Sequence, residues 1–243
     1  MRSKGSQWVV VVAALAVGTA WAAPPAQKDT SSQPQNLQDA LAQMDRSATA
    51  FQSVQADIAV DLYTAVVQDH EFQKGTTAFR RTRGAMEMAT TINKGQEGET
   101  DLLYRNGQLD YYLPQRRQET ILSAGANRQE WDSLLATGFG ATGKELASAW
   151  TVKFDGMDKS VPATGGAPTA KLELVSTDAK VRSNFSQVTI WVDLSRDISM
   201  KQIFLQPDQD SRTVTYSNIR YNKPVNDKLF QLKVASGTQI QRR

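Results

Sequence analysis

An alternating run constrains this chain more than any other feature. Val54, Ala56, Ile58, Val60 and Leu62 are apolar, and Gln55, Asp57, Ala59 and Asp61 stand between them. A two-residue period sends successive side chains to opposite faces, so the run predicts a strand with one face in a core and one in water. Such a strand needs neighbours, and they follow at hairpin spacing. Thr77, Phe79 and Arg81 share one face of the next, Met86, Met88 and Thr90 one face of a third, and residues 95–98 form a loop. Segments 102–105 and 109–113 flank Asn106-Gly107, a tight-hairpin signal. Further strands are expected at 151–154, 171–175, 188–192, 200–205, 212–219 and 230–234. Tight turns between half-wet strands predict antiparallel pairing.

Helical spacing interrupts this pattern. Leu37, Leu41 and Met44, then Ala48 and Phe51, recur at steps of three and four, with Asn36 placed as N-cap and Asp39 in the first turn. Asn127 and Glu130 suit a second helix start, followed by Trp131, Leu134 and Leu135. Gly138-Phe139-Gly140 breaks that helix, and residues 143–149 restart one. No fixed-period repeat is visible. The class expected is α+β, a large antiparallel sheet with a few helices.

The N-terminus reads as a targeting segment. Arg2 and Lys4 precede an apolar run over 8–17, and Ala20-Trp21-Ala22 follows as a small-x-small cleavage site. About ten apolar residues fall short of the ~20 that a spanning helix needs. The expectation is a signal peptide over 1–22, cleaved near Ala22, and export to the periplasm as a soluble protein. Residues 23–35, with three prolines and no large apolar side chain, read as a flexible leader. The folded domain is then 36–243. Without Arg2 and Lys4, 26 basic residues face 25 acidic ones.

Chemistry has little to work with. The 243 residues include no cysteine and one histidine, His70, which removes thiolate sites and leaves no material for a Ser–His–Asp centre or a poly-His metal site. His70 is expected at a hairpin tip, and Asp57 and Asp61 on a wet strand face. There is no phosphate loop, nucleophile elbow or His-Glu-x-x-His. Neither catalytic residues, nor a metal, nor a cofactor is expected. The one dense basic group, Arg80, Arg81 and Arg83, reads as a solvated strand edge rather than a nucleic-acid site. The positive signals are apolar: Met86 and Met88 on one face, and Tyr111 in phase with Leu109 and Leu113. These fit an ordinary core as well as a ligand cavity, and methionine re-packs readily around variable apolar ligands.

The order of these features resembles the LolA/LolB superfamily of periplasmic lipoprotein carriers and outer-membrane receptors. The resemblance rests on the exported first helix, the long strand, Gly75 opening a strand that ends in arginine, and Asn106-Gly107 leading into Tyr111-Tyr112-Leu113-Pro114. It rests also on FSQVTIWVD at 185–193, YSNIRYN at 216–222, and Leu229-Phe230 before Gly237. It spans roughly 36–240.

The resemblance implies an incomplete antiparallel barrel around an apolar cavity, lidded by helices, in a monomer without enzymatic activity. The acyl chains of a lipoprotein, or another lipid, would fill the cavity, received from an inner-membrane donor complex and passed to an outer-membrane acceptor. A chain of about fifteen methylenes, at ~0.8 kcal/mol each, costs on the order of 12 kcal/mol in water, which such a cavity removes. Ile58, Phe79, Met86, Met88, Leu102, Tyr111 and Leu113 are the expected lining, and Leu37, Leu41, Met44, Trp131 and Leu135 the expected lid. Arg81 matches the family's latch arginine, which bonds lid-helix groups in the closed state; Thr82 stands where the family has proline. The absence of cysteine favours the soluble carrier over the anchored receptor. The alternative function is a lipid or envelope-stress sensor acting through a protein partner, or a carrier of another lipid or glycolipid.

Overall fold

The computed structural model describes residues 33–123 and 137–242. The signal-peptide expectation and most of the leader lie outside these residues, as do Trp131 and Leu135. Helix α1 (Leu37–Ala48) leads into β1 (Ser53–Thr64), β2 (Asp69–Thr82), β3 (Ala85–Ile92), β4 (Thr100–Arg105), β5 (Gln108–Leu113) and β6 (Gln118–Ser123). Then come α2 (Gly143–Ala149), β7 (Trp150–Asp158), β8 (Thr169–Ser176), α3 (Ala179–Asn184), β9 (Gln187–Asp193), β10 (Ile198–Leu205), β11 (Ser211–Tyr221) and β12 (Gln239–Arg242). Among the described residues, no helix is long and apolar enough to cross a membrane.

The strands form one sheet of twelve, in the order β12-β6-β5-β4-β3-β2-β1-β11-β10-β9-β8-β7. Every pairing is antiparallel except β12 with β6. The end strands do not pair with each other, so the sheet stays open, as the expected α+β incomplete barrel requires. The alternating run is β1, and it sits in the middle. β11 returns to it with Ile58 opposite Tyr216 and Val60 opposite Val214.

Residues directly opposed across a ladder share a face. One face, called inner here, carries two apolar clusters. The first joins Val54, Ile58, Phe79, Met86, Met88, Tyr104, Val214 and Tyr216. The second joins Leu172, Leu174, Val188, Ile190 and Val192 of β8 and β9 to Ala40 and Met44 of α1 and Leu146 of α2. α1 forms where its pattern predicts: the Asn36 side chain accepts from the Asp39 N–H at 2.9 Å, and Ala40, Met44 and Ala48 are buried at four-residue steps. α2 begins with a capping box between Thr142 and Glu145. The two helices touch closely at Gly143, where a Cβ would lie 2.3 Å from the Leu41 carbonyl.

Several expectations need correction. Residues 230–234 are not a strand: a 3-10 turn spans Asp227–Phe230, and the last strand comes later, at β12. Phe230 and Leu232 instead serve packing on the outer face, where Phe230 is 1% exposed against Ala78 and Leu103, while Val234 is exposed. The arginines are not a solvated edge. Neighbours on a strand point oppositely, so Arg80 goes to the outer face and Arg81 to the inner, while Arg83 sits in the turn with φ of 51°. His70 is inside β2 rather than at the tip, because Tyr63 and His70 still pair across the hairpin. Gly75 likewise lies within β2 rather than opening it. β6 and α3 carried no clear periodic signal and went unforeseen.

The Arg80 guanidinium clasps the C-terminal segment to the sheet. It lies 4.0 Å from the centre of the Phe230 ring, donates to Glu87 at 2.6 Å and bonds Asp227. Burial disfavours its charge, but the bonds to Glu87 and Asp227 outweigh that and raise its pKa. Arg80→Ala leaves the buried Glu87 carboxylate without this partner, and should cost about 2 kcal/mol, several degrees in Tm by thermal melt. Asp227, with its side chain 82% exposed, should tolerate Asn within about 0.5 kcal/mol.

Candidate functional site

The register brings the expected lining residues onto one face. Phe79 is opposite Met88, and Met88 opposite Tyr104; Arg81 is opposite Met86. One row further along the strands, Thr90 is opposite Leu102 and Leu102 opposite Tyr111. Ile58, Phe79, Met86 and Met88 are buried in the first cluster. Leu102 packs against it half-buried, with Leu62, Ile92, Leu109 and Phe204. Leu113 is half-buried, and Tyr111 is 37% exposed. The inner face therefore grades from a closed centre to an apolar margin that water still reaches.

The expected lid residues Leu37, Leu41 and Met44 pack on the second cluster, over β8 and β9, rather than over Met86 and Met88. Among the described residues, a strap, 137–141, lies on the first cluster. Phe139 is 1% exposed, stacked on Phe79 with ring centres 4.1 Å apart and edge-on to Tyr216 at 5.0 Å. The strap is not regular structure, so its backbone groups need partners from the sheet. Gln202 Nε2 donates to the Thr137 carbonyl at 2.6 Å, and Gln202 Oε1 accepts from the buried Tyr216 hydroxyl at 2.8 Å. The Ser199 N–H donates to the Gly138 carbonyl, and the Gly140 N–H to the Asp197 carbonyl.

Glycine is required on both sides of Phe139. Gly138 and Gly140 have φ of 74° and 71°, a region that favours glycine. A Cβ would lie 1.9 Å from Ser199 Oγ at the first and 2.4 Å from the Phe51 ring at the second. The motif read in the sequence only as a helix breaker is thus what lets an aromatic ring be pressed into the sheet.

Arg81 reaches the strap. Its Nη2 donates to the Gly140 carbonyl, while its Nε is buried without a hydrogen-bond partner. The family resemblance implied a bond to lid-helix groups. The carbonyl it finds stands two residues before Thr142, the N-cap of α2. Asp197, the other group at this spot, was missed by sequence reasoning. It is fully buried, has φ of 54°, and neither carboxylate oxygen has a hydrogen-bond partner. Burial pushes its carboxyl well above the usual carboxylate range; the Arg81 guanidinium opposes this, and Glu145 and Asp45 add to it. Burial also raises the Tyr216 phenol. In the sequence, Asp197 looks like an ordinary turn aspartate after Asp193, and no local signal marks its burial.

Among the described residues, no group of three or more His, Cys, Asp and Glu could hold a metal ion. His70 lies at the far end of the β1–β2 hairpin, 2.8 Å from Asp61, with no place in this face. The arrangement is suited to holding apolar matter.

An open, mostly antiparallel sheet with one apolar face beneath short helices is the class of this fold, and several solved structures are similar to the chain. They include a LolA superfamily protein from Nitrosomonas europaea, at 14% identity and a TM-score of 0.41, covering 82% of this chain and 99% of that one. MucB in the MucA/MucB complex of Pseudomonas aeruginosa is similar at 16% identity and a TM-score of 0.46, over 80% of this chain, which spans 61% of the matched one. The lipoprotein LppX of Mycobacterium tuberculosis matches at 12% identity and a TM-score of 0.42, over 77% and 97% of the two chains. No protein-family model matches the sequence, and no curated protein does.

The Asp197 carboxyl makes stability depend on pH in a definite direction. Because its folded-state pKa is raised, the folded chain keeps a proton that the unfolded chain releases above about pH 4. Its contribution is complete below that pH and declines as pH rises toward the folded value. Asp197→Asn has no proton to lose, and asparagine tolerates the left-handed backbone. The variant should therefore gain several degrees of Tm over wild type at pH 7 and much less at pH 4. An equal difference at both pH values would show that folding does not raise the pKa of this carboxyl.

Proposed function

We propose that this protein is a periplasmic carrier that shields the acyl chains of a lipoprotein or other lipid on the inner face of its sheet, without any covalent step. The supporting observation is the strap. Phe139 occupies the middle of an apolar face whose margin, Leu62, Ile92, Leu102 and Leu109, is only half covered. A plain core would be closed to the margin, whereas a carrier needs an apolar face that can be vacated and filled. Residues 137–141 are tied down by hydrogen bonds to Gln202, Ser199, Asp197 and Arg81, which can be broken and remade without disturbing the ladders. With the strap seated, the empty carrier avoids a large exposed apolar patch. With it displaced, acyl chains take the place of Phe139 against Phe79, Met88 and Tyr216. Arg81 then serves as the latch, bonded to Gly140 when the site is empty. Export, transfer between inner-membrane donor and outer-membrane acceptor, and a monomeric state complete the proposal.

A fluorescent long-chain fatty acid tests it. Leu102→Glu puts a charge on the half-covered margin and should weaken probe binding at least tenfold while Tm stays near wild type. Phe139→Ala removes the built-in occupant and should tighten binding. If both variants bind the probe as wild type does, the inner face is core and the proposal fails. Arg81→Leu should load normally but pass its cargo to acceptor vesicles more slowly, since closure no longer favours the empty state; transfer at the wild-type rate would remove the latch.

A further inference from the structure

On its β3 side, β2 runs on beyond its neighbour, while β11 accompanies β1 as far as Tyr63, opposite Ser211. β3 accompanies β2 only as far as Ile92, opposite Gly75, where a Cβ would meet the Thr91 carbonyl at 2.2 Å. Asn93 still bonds Lys74, its N–H donating to the Lys74 carbonyl at 2.7 Å. Beyond that point, among the described residues, no strand pairs with residues 69–73 on the β3 side. Since Lys74 turns its backbone groups to that side, the two-residue period turns those of Phe72 and His70 the same way. This is an open edge about 17 Å long.

Natural sheets usually blunt such an edge with proline, lysine or a bulge. Residues 69–73 contain no proline, lysine or bulge and carry only the acidic charges of Asp69 and Glu71, and their side chains sort by face. His70 and Phe72 lie on the outer face, stacked on each other at 5.9 Å, with Tyr63 4.8 Å from His70; Phe72 is 74% exposed. Asp69 and Glu71 project to the opposite face and are exposed. The tip adds Val66, 88% exposed, and Val67, 67% exposed, where turn chemistry would place Gly, Asn or Asp; Gln68 takes the left-handed position with φ of 53°. The hairpin is braced rather than loose: Asp210 accepts from the Ala65 N–H at 2.8 Å, and His70 holds Asp61.

We infer that this edge is a strand-addition site for an extended segment of a partner protein with alternating apolar and basic residues. An added strand would set its apolar side chains beside Phe72 and the tip valines, and its basic ones beside Asp69 and Glu71, while its backbone completes the open ladder. Charge selects against other occupants. Lys74 and Arg212 are outnumbered by Asp69, Glu71, Asp208, Asp210 and Asp61 around the hairpin, which disfavours an anionic membrane surface. A second copy paired antiparallel about Glu71 would set Glu71 against Glu71, so only a register shifted off that pair could dimerise. The inference does not depend on the lipid-carrier reading.

A labelled nine-residue peptide alternating valine and lysine, titrated into the full chain and followed by fluorescence anisotropy, tests it. Binding is expected, with amide shifts at His70 and Phe72. Glu71→Lys should weaken it about tenfold and transfer preference to a valine–glutamate peptide. Phe72→Ser should weaken both, and N-methylation of the peptide on its ladder-forming residues should abolish binding. All these positions are exposed, so Tm should not change. Equal binding by Glu71→Lys or by the N-methylated peptide would overturn the proposal. So would a dimer in sedimentation that Phe72→Ser dissociates, or binding to phosphatidylcholine vesicles with none to the peptide.

Discussion

Phe139, flat against Phe79 and edge-on to Tyr216, is the contact on which the centre of this structure depends. The twelve-stranded open sheet has more apolar face than the three short α-helices of the described residues cover. α1 and α2 take the part over β8 and β9. Over β1, β2 and β3, the described residues bring one ring carried on an irregular strap. Burying an aromatic side chain of that size is among the largest single apolar gains available to a chain. It also requires two left-handed residues beside it, which is why glycines flank it.

That solution has polar consequences. A strap laid on an apolar face takes backbone carbonyls out of water, and each must be bonded from the sheet below. Gln202, itself bonded to Tyr216, supplies one donor and Arg81 another. Asp197 receives the Gly140 N–H through its carbonyl, but its carboxyl has no partner and burial drives it toward the neutral form. Apolar closure is therefore strong and polar closure incomplete at the same spot. A segment with that balance can stay seated and still be displaced by other apolar matter, as the proposed function requires.

The outer face is organised by different means. Its charged and aromatic groups make local ties, such as Arg80 over Phe230, Trp191 Nε1 donating to Asp158 at 2.8 Å, and Lys171 between Asp155 and Trp191. The bonds from Ser160 and Trp191 hold the Asp158 carboxyl down at about 2. At the β1–β2 hairpin these ties give way to an open edge. The two faces are thus suited to different contacts: dispersive and replaceable inside, directional and fixed outside.

Local pattern alone determined β1 and its neighbours, since a two-residue period holds in any surroundings that bury one face. It also determined α1 with its Asn36 cap, α2, and the shared face of Ile58, Phe79, Met86, Met88 and Leu102. These follow from chain geometry and need no knowledge of what lies opposite. Tertiary structure decided what covers that face. It placed Leu37, Leu41 and Met44 over β8 and β9, brought Phe139 in from far along the chain, and buried Asp197 from an ordinary turn. It also turned Phe230 into packing under Arg80. The physical reason is range: periodicity is fixed by neighbours two to four residues away, whereas burial of a turn, a strap or a carboxylate depends on segments 59 to 147 residues distant that no local pattern records.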